Sequence, residues 1–159
     1  ELKIIRMLMK LYPECRFILL ARDPVETCVT MVLSWSDFNK AGTDEEKLDI
    51  VNEASSKISR FYKFIDELEK ELPGNAYKLA YESLVGNMQE TLVKLSRALV
   101  VTNNYNWSQV KKIESTDIMS ARKKHGMKLQ NEIRAICKGM LTSEQDKYLN
   151  DFIVELAGR

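Results

Sequence analysis

Histidine is almost missing from this sequence: His125 is the only one among 159 residues. That scarcity removes any Cys/His pairing suited to zinc, and no carboxylate cluster of the kind that marks a magnesium site stands in its place. Cysteine is also sparse. Cys15, Cys28 and Cys137 are widely spaced on apolar segments, a pattern that favours reduced core thiols over disulfides or a metal site. No apolar run approaches the roughly 20 residues of a membrane-spanning helix. The opening segment carries Lys3, Arg6 and Lys10 without a cleavage-like site, so neither a signal peptide nor an anchor is legible. An excess of one charge is lacking too: 24 basic residues against 23 acidic leave a net charge of +1. There is then no bulk electrostatic drive toward nucleic acid or a membrane surface, and any anion binding has to be local. Finally, the stretch from Glu1 to Cys15 has no glycine. Its apolar positions at 4, 5, 8 and 11 describe an amphipathic helix ending near Pro13, not a phosphate-binding loop. Glu1 in place of a methionine implies a chain that starts inside a longer gene product or has been trimmed.

What is present suits one soluble globular domain over residues 1–159, with 45% hydrophobic and 30% charged residues. The pattern predicts helix 2–11, strand 16–21, helix 24–38, helix 44–71, strand 76–80, helix 88–99, helix 107–114, helix 129–140 and helix 143–156. Thr43 and Glu46 form a capping box for the longest helix. In it Ile50, Ala54, Ile58, Phe61, Ile65 and Leu68 recur at helical spacing as a stripe that has to be buried. Pro73-Gly74 stops it. Two short strands separated by helices imply a parallel pair with a helical crossover, hence an α/β fold. A two-stranded sheet is too narrow to stand alone and calls for partner strands.

The chemistry concentrates in Arg16-Phe17-Ile18-Leu19-Leu20-Ala21-Arg22-Asp23-Pro24. Residues 17–21 form an apolar run of the kind a buried parallel strand needs. Asp23 reads as an N-cap, Pro24 as the first helical residue and Glu26 as N3. The free N–H groups and positive dipole end of that helix would favour an anion, with the Arg22 guanidinium as a planar donor fork. Thr30, eight residues beyond Arg22, adds a hydroxyl about two turns along the helix. The plainer alternative makes Arg22 an ion-pair partner of Asp23 or Glu26, Thr30 a solvated residue and Tyr81 a core aromatic.

The run from Arg16 to Trp35 resembles the 3′-phosphate-binding segment of sulfotransferases that use 3′-phosphoadenosine 5′-phosphosulfate (PAPS). The stretch from Ala76 to Asn87, with Tyr81-Glu82-Ser83-Leu84, is similar to the later strand and Tyr-Glu-x-Leu turn of that family, and Met88 to Leu99 to its following helix. The resemblance implies a helix-rich portion of a P-loop-like sulfotransferase fold with a short parallel sheet. It implies that Arg22 and Thr30 bind the 3′-phosphate of the cofactor and that Tyr81 lies near the adenosine. Threonine stands where the family usually has serine, which keeps the hydroxyl and adds a methyl. In the family, a late loop with Arg-Lys-Gly closes over the cofactor. Ser120-Ala121-Arg122-Lys123-Lys124-His125-Gly126-Met127 is similar but has Lys124 for the first glycine and no Asp-Trp pair. Arg122 and Lys123 are its candidate phosphate contacts, set against a solvated basic loop. His125 reads as a surface residue, and Trp35 and Trp107 suit either adenine stacking or helix packing.

In that family a lysine- and Ser/Thr-rich loop for the 5′-phosphosulfate, and then the catalytic base, precede the Arg-Asp-Pro strand. Here the resemblance implies a partial domain without that N-terminal loop, completed by another segment or a partner chain. The expected reaction is sulfuryl transfer from PAPS to an acceptor hydroxyl or amine on a small molecule, glycan or protein, in the cytoplasm or Golgi lumen. One rival is a non-catalytic sulfotransferase-like subunit serving assembly or binding. Another is a relative of nucleotide kinases, which would prefer a triphosphate with magnesium.

Overall fold

A computed structural model describes residues 2–35, 37–72, 74–99 and 126–157, with the side chains of Trp35 and residues 149–157 left aside. The helix expected at 107–114 and the residues Trp107, Arg122, Lys123 and His125 lie outside the described residues. The elements are α1 (Leu2–Leu11), β1 (Phe17–Ala21), α2 (Pro24–Trp35), a 3-10 turn (Phe38–Lys40), α3 (Asp44–Glu71), β2 (Ala76–Ala80), α4 (Tyr81–Gly86), α5 (Met88–Ala98) and α6 (Met127–Ala157). The protein is helix-rich with a short two-stranded parallel sheet, an α/β arrangement. Among the described residues no helix is long and apolar enough to cross a membrane. The chain divides into two compact units, one of residues 2–21 with 63–99 and one of residues 22–62 with 126–157.

The first unit holds the sheet. β1 and β2 pair in parallel from Phe17 against Ala76 to Ala21 against Ala80. Gly74, at φ 81°, takes the left-handed turn into β2 that a side chain would resist. Ala21, Ile65, Leu68, Leu72, Leu79 and Ala80 are buried. The expectation of a fully buried β1 is corrected, because Ile18 and Leu20 are 47% and 48% exposed. Successive strand residues face opposite ways, so a sheet covered on one side buries only alternate positions. The inward face of α1 is shifted from the expected one: Ile5, Leu8 and Met9 are half-buried while Ile4 and Leu11 face outward. Arg6 donates to both carboxylate oxygens of Glu71 and holds that carboxyl below its usual range. Arg16 Nη1 donates to the Ala98 carbonyl at 3.1 Å, at the end of α5. The Tyr-Glu-x-Leu segment forms the six-residue helix α4 instead of a bare turn, tied to α5 by Thr91 Oγ1 donating to the Ser83 carbonyl at 2.9 Å.

Among the described residues, the second unit packs three helices around one core. Val25, Cys28, Val29 and Val32 of α2 pack with Val51, Ala54 and Ile58 of α3, with Ile133, Cys137 and Leu141 of α6, and with Phe38. The capping box of α3 is formed: the Glu46 N–H donates to Thr43 Oγ1 and the Thr43 N–H to Glu46 Oε2, each at 3.2 Å. Phe61 departs from the stripe expected of α3, being 48% exposed. Tyr62, four residues after Ile58, takes the inward place instead and packs against the core. α2 stops at Trp35, short of the expected 38, and the 3-10 turn brings Phe38 into the core at 1% exposure.

The two helices expected at 129–140 and 143–156 are one continuous helix, α6. Leu141-Thr142-Ser143-Glu144 reads as the start of the second of them, where hydroxyl side chains are able to compete with the backbone. Here Thr142 turns its hydroxyl onto the Lys138 carbonyl within the helix, and Leu141 is fully buried in the core. Neither proline nor a buried polar group interrupts that turn, so the register carries through.

Candidate functional site

The second unit begins where β1 hands the chain to α2. Asp23 organises the start of that helix. Its Oδ1 accepts from the Val25 N–H at 2.8 Å and the Glu26 N–H at 3.0 Å, and its carbonyl accepts from the Thr27 N–H at 2.9 Å and Thr27 Oγ1 at 2.8 Å. Pro24 has no N–H to give. The expectation of free N–H groups for an anion is therefore corrected: the cap that starts α2 takes its first-turn donors. What remains for an anion here is supplied by side chains.

Arg22 and Thr30 come together. Arg22 Nη1 donates to Thr30 Oγ1 at 3.4 Å, and Thr30 Oγ1 donates back to the Glu26 carbonyl at 2.9 Å. A planar guanidinium and a hydroxyl within reach of one another are the pieces that a phosphate oxygen pair recognises. The hydroxyl carries one proton, now on the Glu26 carbonyl. It has to rotate to donate to an anion.

Three residues that sequence reasoning missed hold this corner. Tyr62 donates its hydroxyl to the Arg22 carbonyl and stacks edge-on with Tyr148, centroids 6.2 Å apart. Gln145 Nε2 donates to Asp23 Oδ2 at 2.8 Å. Arg134 Nε donates to Glu26 Oε1 at 2.7 Å, and that pairing raises the Arg134 pKa. Glu26, expected as a capping-box member, is thus also an anchor for α6. Both oxygens of Asp23 accept hydrogen bonds, which spreads the carboxylate charge beside Arg22. The lone signal for Gln145 and Arg134 in the sequence is their spacing of eleven residues, about three helical turns, which puts them on one face of α6.

Tyr81 is placed in the other unit, half-buried at the first position of α4 directly after β2. Arg122 and Lys123 lie outside the described residues. Among the described residues no group of three or more metal-ligating side chains is assembled.

A model of the sulfotransferase family matches residues 1–104, nearly two thirds of the chain. The chain belongs to the sulfotransferase family. No curated protein and no solved structure matches it. The span that places this sulfotransferase-family chain includes Arg22, Thr30 and Tyr81, while Arg122 and Lys123 fall beyond it.

Proposed function

We propose that the chain carries the 3′-phosphate end of the donor site of a PAPS-dependent sulfotransferase with a P-loop-like fold. The reaction is transfer of a sulfuryl group from PAPS to an acceptor hydroxyl or amine. The observation that carries this reading is the contact of Arg22 with Thr30 across the start of α2, in a chain of the sulfotransferase family. In this reading Arg22 pairs with the 3′-phosphate and Thr30 turns its proton onto the same group. The reading also assigns Tyr81 to the nucleoside and Arg122 and Lys123 to the phosphate.

The residues fit such a group. A guanidinium is able to present two parallel donors to a phosphate and a hydroxyl a third, and the neighbouring Asp23 carboxylate accepts from N–H donors and Gln145. Sulfuryl transfer also needs a base for the acceptor and stabilisation of the leaving phosphate. Residues 2–11 form α1 ahead of β1. The reading therefore puts the phosphosulfate end on a separate segment or a partner chain.

Calorimetric titration with adenosine 3′,5′-bisphosphate tests this. Arg22→Ala should weaken binding by about 1.5–3 kcal/mol, roughly ten- to a hundredfold. Adenosine 5′-monophosphate, which lacks the 3′-phosphate, should bind weakly and equally to both proteins. Tighter binding of ATP with magnesium than of the bisphosphate would favour the kinase-like alternative. No binding of any nucleotide would leave a subunit whose role is assembly.

A further inference from the structure

Cys28 on α2 and Cys137 on α6 stand 109 residues apart in the chain, yet they meet in the core of the second unit. Both are at 0% exposure, and Cys137 Sγ donates to Cys28 Sγ at 2.8 Å. The Ser55 hydroxyl of α3 lies 3.5 Å from Cys28 Sγ. The third cysteine, Cys15, belongs to the other unit, where its Sγ contacts Met9 Sδ at 3.4 Å.

A disulfide bond is about 2.05 Å long, so closing this pair asks the two sulfur atoms to approach by less than about 1 Å. The cross-link would join the two helices that hold the candidate site, because α2 is capped by Asp23 and carries Glu26 and Thr30 while α6 carries Gln145 and Arg134. We propose that Cys28 and Cys137 are an oxidisable dithiol that closes to a disulfide and staples α2 to α6. This stands on the geometry of the core and does not depend on PAPS binding.

The oxidant is a small disulfide such as oxidised glutathione. The Cys28 thiolate attacks one sulfur of it, forms a mixed disulfide and releases one glutathione thiolate. Cys137 then loses its proton and its thiolate attacks Cys28 Sγ, which breaks the mixed disulfide and releases the second glutathione. Two protein thiols are oxidised, one glutathione disulfide is reduced, and the two protons end on the glutathione thiols. The order follows from the environment: the hydrogen bond from Cys137 lowers the Cys28 pKa, whereas that contact and burial push Cys137 up. Full burial places the first attack before α2 and α6 dock, or in a local opening of the core. Once closed, the bond is shielded from reductant by the same packing. It also encloses a long loop, the condition under which a cross-link constrains the unfolded chain most.

The test incubates the purified full chain in glutathione buffers of increasing oxidised fraction, with urea below the unfolding transition to permit opening. Free thiols are then trapped with N-ethylmaleimide in fully denaturing urea, which exposes the buried pair. The expected result is a mass lower by about 2 Da before trapping. Peptide mapping should link Cys28 to Cys137 with Cys15 alkylated, and Tm should fall by several degrees on reduction. Cys15→Ser should give the same link. Alkylation of Cys28 and Cys137 in protein that remains folded in the most oxidising buffer would overturn the proposal. So would a link from Cys15 to either of them.

Discussion

At the scale of single residues, Thr30 shows why a contact and a binding role are different things. Its hydroxyl gives its proton to the Glu26 carbonyl at 2.9 Å and accepts from Arg22 at 3.4 Å. The second distance is long for an N–H···O bond, so that contact is weak. Turning the proton to an anion forfeits little, because the Glu26 carbonyl lies one helical turn back and keeps the bond of the helix backbone. Thr30→Val preserves shape and removes the donor. It should lower affinity for adenosine 3′,5′-bisphosphate by about 1 kcal/mol, roughly fivefold, while Thr30→Ser retains the affinity. Calorimetry on the two variants reads this directly, and equal affinities for Val and wild type would remove Thr30 from the site. The pairing of Arg22 with Thr30 was legible because it is local: eight residues of strand end and helix fix it. Tyr62 and Gln145 were not, since they reach this corner from 40 and 122 residues away. Only packing of α3 and α6 brings them there.

At the scale of elements, the start of α2 settles a competition that the sequence leaves open. The same first-turn N–H groups are able to serve an N-cap or an external anion, but not both at once. Asp23 wins because it is covalently adjacent and because Gln145 fixes its second oxygen. Asp23→Ala should destabilise the protein by about 0.5–2 kcal/mol, the range of a lost N-cap, read as a lower urea midpoint at unchanged slope. Asp23→Asn keeps the acceptor oxygen and should recover most of the loss. A fall for Asn as large as for Ala would point instead to the carboxylate charge. Most element positions were readable from periodicity and capping: α1, α3 and β2 fall at the expected residues. The failures share a cause. Phe61, the end of α2 and the supposed break at Thr142 were decided by which side chains the core admits. One-dimensional spacing does not contain that.

At the scale of the whole molecule, the balance of 24 basic and 23 acidic residues has a consequence for binding. A polyanionic nucleotide gains almost nothing from the overall charge of such a protein, so the attraction has to come from a few side chains close to the phosphates. Much of the charge is already paired on the surface, as in Lys57 with Glu53 at 2.6 Å and Lys94 with Glu90 at 2.6 Å. Such exposed pairs are screened beyond about 8 Å at physiological salt. Affinity for adenosine 3′,5′-bisphosphate should therefore decline with salt through local contacts alone. Arg22→Ala should flatten the plot of log affinity against log salt. Lys57→Gln, which removes a cation on the solvent side of α3, should leave that slope and the affinity unchanged. Calorimetry repeated across a tenfold range of salt separates the two. If Lys57→Gln flattens the plot as far as Arg22→Ala does, the nucleotide responds to the general field of the protein, and the assignment of its 3′-phosphate to the mouth of α2 fails.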